Sequence, residues 1–316
     1  MSATFHHGQQ QAGNRRQWRA MPRCGRLCLL SLVLAISRGT GTASAATNDI
    51  FPGDYYAINP GDKVFSLYLF DRANVGPYLG GEQVADSKVK GRIGAIRGVS
   101  AFSLAGLTAT AVAVLSCADL KPSSAALGDV IGSHSTGLGD LRLGMTIWPI
   151  NHRQTANYLG VTAMVIAPTG HYISDQLLNY GENRWRWVLA GGWQKDITPR
   201  LLIELSPELT LYGDNRNYAA GQRLEQDPAL ALTGYLRWRL NPSFHLHIGA
   251  QRNWGGATRV DGLALKNPPE NTRLNLGLTW FLPGKQQLIL RLAEETQIEN
   301  GFRIERELAL RYQKVF

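Results

Sequence analysis

From Asp62 to the end of the chain, apolar and polar residues alternate with a period of two over segments of about 10 to 14 residues. Leu141, Leu143, Met145 and Ile147 are interleaved with Arg142, Gly144 and Thr146. Leu230, Leu232, Leu236, Trp238 and Leu240 are interleaved with Ala231, Thr233, Tyr235, Arg237 and Arg239. Successive side chains of a strand point to opposite faces, so each segment has one apolar and one polar face. Twelve segments are counted, near 62–71, 91–101, 106–116, 138–148, 157–168, 184–195, 200–212, 227–240, 243–254, 272–282, 286–295 and 303–316. Strands of soluble proteins average ~5–6 residues, whereas a tilted membrane-crossing strand needs ~9–11. The segment lengths favour the membrane.

The connections take turns in length. Short ones lie at 102–105, 149–156, 197–199, 241–242 and 283–285, and long ones at 72–90, 117–137, 169–183, 213–226, 255–271 and 296–302. Short periplasmic turns, long external loops and an even strand number are the layout of an outer-membrane barrel. The fold expected is therefore all-β, a transmembrane antiparallel β-barrel of about twelve strands over 62–316, with both termini in the periplasm. Trp193, Trp238 and Trp280 fall on the apolar face at the expected periplasmic strand ends, and Trp185 and Trp254 at the external ends. Amphipathic rings favour the bilayer interface, so these five are expected to form two aromatic girdles against outer-membrane lipid. The chain ends in Phe316, with Tyr312, Leu310 and Leu308 on the same face. That ending resembles the C-terminal signal read by the barrel assembly machinery, although Lys314 departs from it.

Composition changes the picture once the charge is located. The 316 residues carry a net charge of +9, as a nucleic-acid binder would. Six arginines and no acid lie within 1–45, which also holds an apolar run from Leu27 to Ile36 and then an Ala43-Ser44-Ala45 cleavage signal. That order is a secretory signal peptide, with Met1 or Met21 as its start. Its removal leaves 27 basic against 24 acidic residues, and no basic patch for nucleic acid survives. Cys24 and Cys28 leave with it, and Cys117 remains alone. Residues 46–61 then form a short periplasmic segment, too short for a plug domain.

In a closed barrel the polar face lines the lumen. The expected lumen carries Arg142, Arg186, Arg237, Arg239, Arg273, Arg291 and Arg311 with Glu204, Glu208, Glu305 and Glu307, interleaved with Tyr68, Tyr158, Tyr212, Tyr235 and Phe281. One reading has these charges pairing across the lumen and only stabilising it. The other is a narrow path whose arginines attract an anionic group while the rings offer flat apolar surface, since guanidinium both forks onto carboxylate and stacks on rings. A small aromatic acid suits such a wall. Enzymatic readings are weak: His245 and His247 share a face but lack an evident third metal ligand, and His171, Ser174 and Asp175 share a loop. No cofactor is called for.

Four local motifs carry a family resemblance. They are Gly139-Asp140-Leu141-Arg142-Leu143-Gly144, Ala167-Pro168-Thr169-Gly170-His171-Tyr172, Asn179-Tyr180-Gly181-Glu182-Asn183-Arg184-Trp185 and Asp227-Pro228. In this order the chain resembles, over roughly 50–316, the outer-membrane transporters associated with the meta-pathway of phenol degradation. The resemblance implies a barrel that passively admits small hydrophobic or aromatic compounds. A nonselective porin, a structural or adhesive barrel and, third, an outer-membrane hydrolase are the alternatives. Physically, Pro168-Thr169-Gly170 ends a strand and Asn183-Arg184 begins the returning one, so these motifs shape a hairpin mouth.

Overall fold

The computed structural model describes residues 49–316, so the signal peptide expected over 1–45 lies outside the described residues. Twelve strands form the barrel wall: β1 (Lys63–Leu79), β2 (Glu82–Leu104), β3 (Leu107–Pro122), β4 (Leu141–His152), β5 (Asn157–Ala167), β6 (Arg186–Asp196), β7 (Leu201–Tyr212), β8 (Ala229–Arg239), β9 (Phe244–Gly255), β10 (Thr272–Leu282), β11 (Gln286–Gln297) and β12 (Gly301–Val315). Each pairs antiparallel with its predecessor, and β12 returns to β1, with Tyr68 opposite Arg311 and Val64 opposite Val315. Closure leaves no strand edge, as hydrocarbon requires of any sheet that crosses it. At the seam of the two chain ends, Phe316 N–H donates to the Lys63 carbonyl at 2.8 Å.

The period-two pattern sets the two faces. Leu143 and Met145 on β4, Leu230, Leu232 and Leu236 on β8, and Leu274 and Leu276 on β10 are exposed on the outside of the barrel. Their polar neighbours, Thr146, Thr233, Arg237, Arg273 and Asn275, are buried inside. A soluble protein would hide the apolar set. Here that set forms a belt around the barrel, which is therefore an outer-membrane β-barrel in its lipid-facing surface as well as its topology.

The strand ends differ from expectation where the chain leaves the bilayer. The stretch 72–90, read as a loop, is a continuation of β1 and β2, paired as far as Leu79 and Glu82 around Gly80 and Gly81. Outside lipid nothing demands an apolar face, so this extension lacks the alternation that marks the rest. Residues 117–137 likewise begin as β3, then form helix α1 (Ala125–Ile131), whose cap Ser124 accepts from Leu127 N–H at 3.3 Å. Leu127 and Ile131 pack inward against Val89, Leu177, Leu178 and Phe302, which roofs part of the external mouth. The connections at 213–226 and 255–271 carry short strands that make a four-stranded sheet of their own. Glu305 is a correction. Pairing between β1 and β12 steps from Ala73–Arg306 to Asn74–Ile304, and this bulge turns Glu305 outward, where Lys88 Nζ meets it at 2.9 Å.

Candidate functional site

The stretch 49–58, expected in the periplasm, lies inside the barrel. The physical reason is charge. Arginines facing the lumen outnumber the strand carboxylates, and the segment supplies the missing anions. Asp49 takes Arg273 at 2.8 Å, Arg291 at 2.9 Å and Arg72 at 3.5 Å. Asp54 takes Arg311 at 2.6 Å and Arg97 at 3.1 Å, and accepts from Phe51 N–H at 2.8 Å. Burial alone would raise the Asp54 carboxyl, but the Arg311 and Arg97 guanidiniums hold it below the usual carboxylate range. Between the two acids Phe51 is 0% exposed, with the Arg291 and Arg311 guanidiniums 4.1 and 5.1 Å from its ring centre. The segment's backbone is tied to the wall as well. Gly53 N–H donates to Glu204 at 2.7 Å, Tyr235 OH to the Ile50 carbonyl at 2.9 Å and Trp148 Nε1 to the Tyr55 carbonyl at 3.1 Å. Tyr55 lies flat on Gly192, where a Cβ would come within 1.9 Å of its ring.

Most of the residues expected to line the lumen have partners, in the segment or on the wall. Arg237 pairs with Glu204 at 3.0 Å, Arg186 with Glu182 at 2.7 Å, Arg291 with Glu307 at 2.7 Å, and Arg239 with Asp196 at 2.7 Å on the side chains nearest the periplasmic turns. Glu307 also meets Arg72. Glu208 is buried and accepts from Thr210 at 3.2 Å. Tyr68 packs edge-on to Phe51 at 5.5 Å and Tyr158 against Tyr56 at 4.7 Å, so both face the segment. Tyr212 stacks under Arg184, and Phe281 meets His245 edge-on. Sequence reasoning missed Asp49, Phe51, Asp54, Tyr55, Arg72, Arg97 and Trp148. The arginine excess on the lumen faces was the available signal, because buried charge demands a partner.

Above the segment is a cavity of about 300 Å³. Its wall is apolar over Ile93, Val112, Val114, Met164, Leu177 and Leu178, and charged over Arg72, Arg97, Arg142, Arg186 and Arg273 together with Asp49, Asp54, Asp140, Glu182 and Glu295. Ligand sites of this size are commonly apolar with a few placed polar groups. The motifs at 139–144, 167–172 and 179–185 meet at its rim. Asp140 accepts from Gly170 N–H and Glu182 N–H, both at 2.9 Å, and Leu141 N–H donates to Thr169 Oγ1 at 3.0 Å. Arg184 then binds Glu182 at 2.8 Å and Gln226 at 2.6 Å. Burial would raise the Glu182 carboxyl, but Arg186 and Arg184 hold it low.

The catalytic alternatives do not assemble. Ser174 donates to Asp175 at 3.3 Å, whereas the His171 side chain lies over Gly137. His245 meets Phe281, and His247 meets Tyr235. Among the described residues no group of three or more His, Cys, Asp or Glu is placed to hold a metal.

A closed barrel with an apolar belt, a charged lumen and an internal cavity defines an outer-membrane channel-like protein. Residues 75–306 match the family described as "Putative MetA-pathway of phenol degradation", and the chain belongs to that family. The crystal structure of an outer membrane channel from Pseudomonas putida F1 is similar, at 29% identity and a TM-score of 0.80, over 85% of this chain and 100% of that one. The β domain of the Bordetella autotransporter BrkA shares the fold at 14% identity and a TM-score of 0.52, over 82% of this chain and 100% of that one. No curated protein matches the chain.

Proposed function

We propose that the protein is a channel for passive uptake of small hydrophobic or aromatic compounds across the bacterial outer membrane. The observation that carries this is the cavity, whose lining combines apolar side chains with guanidinium groups held by Asp49, Asp54 and Glu182. A flat ring fits the first, and a carboxylate or hydroxyl on it fits the second. Membership of a family named for phenol degradation agrees with such a solute. The lumen path runs past Arg142, Arg186, Arg273 and Tyr68, with the segment 49–58 narrowing it below. Trp185, Trp193, Trp238, Trp254 and Trp280 anchor the belt at its two lipid interfaces, Trp238 being 55% exposed on the outer face. Phe316, Tyr312 and Leu310 present the assembly signal on the outward side of β12. Transport of this kind is downhill and needs no cofactor.

The test is permeation into liposomes holding the refolded protein, comparing benzoate with a sugar of similar size. Faster benzoate entry supports the reading. Equal entry makes the barrel a general pore, and entry of neither makes it a closed structural barrel.

A further inference from the structure

The lipid-facing surface changes character around its external rim. Trp185 and Trp187 at the start of β6 and Trp254 near the end of β9 are exposed there, as rings at a bilayer interface should be. Strands β12, β1, β2 and β3, on the far side of the closed sheet, expose no aromatic side chain at that end. Cations take their place. The outward side chains are apolar as far as Leu69 on β1 and Leu308 on β12. One step further along β1, Asp71 stands opposite Arg92 on β2. At the next step Ala73 stands between Arg306 on β12 and Lys90 on β2, and Lys90 is in turn opposite Lys121 on β3. Neighbouring strands lie ~4.8 Å apart, so the row from Arg306 to Lys121 spans ~14 Å of wall. Along the strand it begins ~14 Å beyond Leu69, past the edge of the apolar belt.

The carboxylates on this patch are already taken. Asp71 pairs with Arg92 at 3.7 Å, and Asp119 with Lys121 at 3.3 Å and His134 at 2.6 Å. Glu305, turned outward by the bulge in β12, holds Lys88 at 2.9 Å across β1. Lys90 and Arg306 are both exposed, and among the described residues neither has a carboxylate within 4.0 Å. Only the Ala73 methyl stands between them, so both heads can close on one anion. Glu294, exposed on β11, bounds the patch on that side. Like charges gathered at this height repel one another unless the membrane supplies anions. The outer leaflet of an outer membrane supplies phosphate, carried on the sugars of its glycolipid. Guanidinium forks onto phosphate and ammonium binds it as a point charge, and the exposed leucines below offer apolar surface to acyl chains.

We propose that the outer face of β12, β1, β2 and β3 is a docking site for lipid A, the phosphorylated glycolipid of the outer leaflet. Its phosphates lie on Arg306, Lys90 and Lys121, and its acyl chains on Leu308 and Leu69. The site fixes one side of the barrel to the outer leaflet, whereas the tryptophan-bearing side only floats at the interface.

The test is native mass spectrometry of the full mature protein in detergent, with hexa-acyl diphosphoryl lipid A as the probe. Wild type should retain one lipid A. Lys90→Gln with Arg306→Gln should bind it roughly thirtyfold more weakly, the effect of removing two cations at a membrane surface. Lys285→Gln with Lys314→Gln, at the periplasmic end, should change nothing. Asp71→Asn, which frees Arg92 from its carboxylate, should bind lipid A more tightly. Lipid A stripped of its phosphates should not be retained. Phosphatidylglycerol should bind more weakly than lipid A, and millimolar inorganic phosphate should not displace it. Unchanged binding in the Lys90 and Arg306 double variant, with folding checked by heat-modifiable gel migration, would overturn the proposal. So would no gain from Asp71→Asn, equal retention of phosphatidylglycerol or of dephosphorylated lipid A, or displacement by inorganic phosphate, which would make the patch a free-anion site.

Discussion

Asp49→Asn with Asp54→Asn removes both carboxylates that hold the segment 49–58 in the lumen while keeping their size. Asp49 lies within 3.5 Å of Arg72, Arg273 and Arg291, and Asp54 within 3.1 Å of Arg97 and Arg311. Arg291 and Arg311 are almost wholly buried, so their charges are not replaced by water when the carboxylates go. Breaking one buried pair by removing one partner costs about 3–5 kcal/mol. The lower figure for one site alone shifts the balance between inserted and displaced segment more than a hundredfold. The two sites share the segment but no arginine, so the double variant should exceed either single one. Single-channel conductance in planar bilayers reads the result directly. Wild type should show a small, steady conductance, each single variant should show frequent excursions to a larger level, and the double variant should occupy that level most of the time. Identical conductance and identical open-event frequency in wild type and double variant would refute the reading that these carboxylates hold the segment in the lumen and keep it narrow.

Other outcomes follow from the same contacts. Phe51→Ala removes a fully buried ring between two guanidiniums, and should cost about 3–5 kcal/mol of segment docking, read as a higher open probability in the same recording. Because the Asp54 carboxyl is held below the usual range by Arg311 and Arg97, its anchoring is fully present at neutral pH and is lost only as pH falls through that lowered value. Conductance should therefore be flat from neutral pH down through about pH 5 and rise only in stronger acid; a rise near pH 6 would count against the assignment. Gly192→Ala drives a methyl into the Tyr55 ring and should both open the lumen and lower thermal stability, whereas Gly98→Ala, with nothing within 4 Å of the added carbon, should do neither.

The wall of this barrel was legible in the sequence because lipid enforces it. Every residue of β8 from Leu230 to Arg239 had to choose between hydrocarbon and lumen, and that choice writes a period of two that can be read directly. Where lipid stops, so does the signal: β1 and β2 continue beyond Arg72 through ordinary mixed residues, and α1 is one short helix in a glycine-rich connection. The lumen was half legible. Arg142, Arg186, Arg237, Arg273, Arg291 and Arg311 could be named from parity alone, Arg72 and Arg97 lay in or beside stretches where the alternation fades, and on β12 a single bulge turned Glu305 outward. Their partners could not be, since Asp49 and Asp54 sit in a segment with no periodicity, some 220 to 260 residues from Arg273, Arg291 and Arg311 in the chain. The family motifs were readable as a set, but their work at the rim is done by Asp140 accepting two backbone N–H groups, which no spacing announces.

The central claim is that a small aromatic solute occupies the cavity above the lumenal segment. Crystals of the full mature protein soaked with 4-bromobenzoate would test it most directly through the anomalous signal of bromine. One bromine position is expected inside the barrel, against Ile93, Val112 and Met164, with the carboxylate turned toward Arg142 and Arg186. Bromine found only in the detergent belt, or nowhere in the lumen, would contradict it.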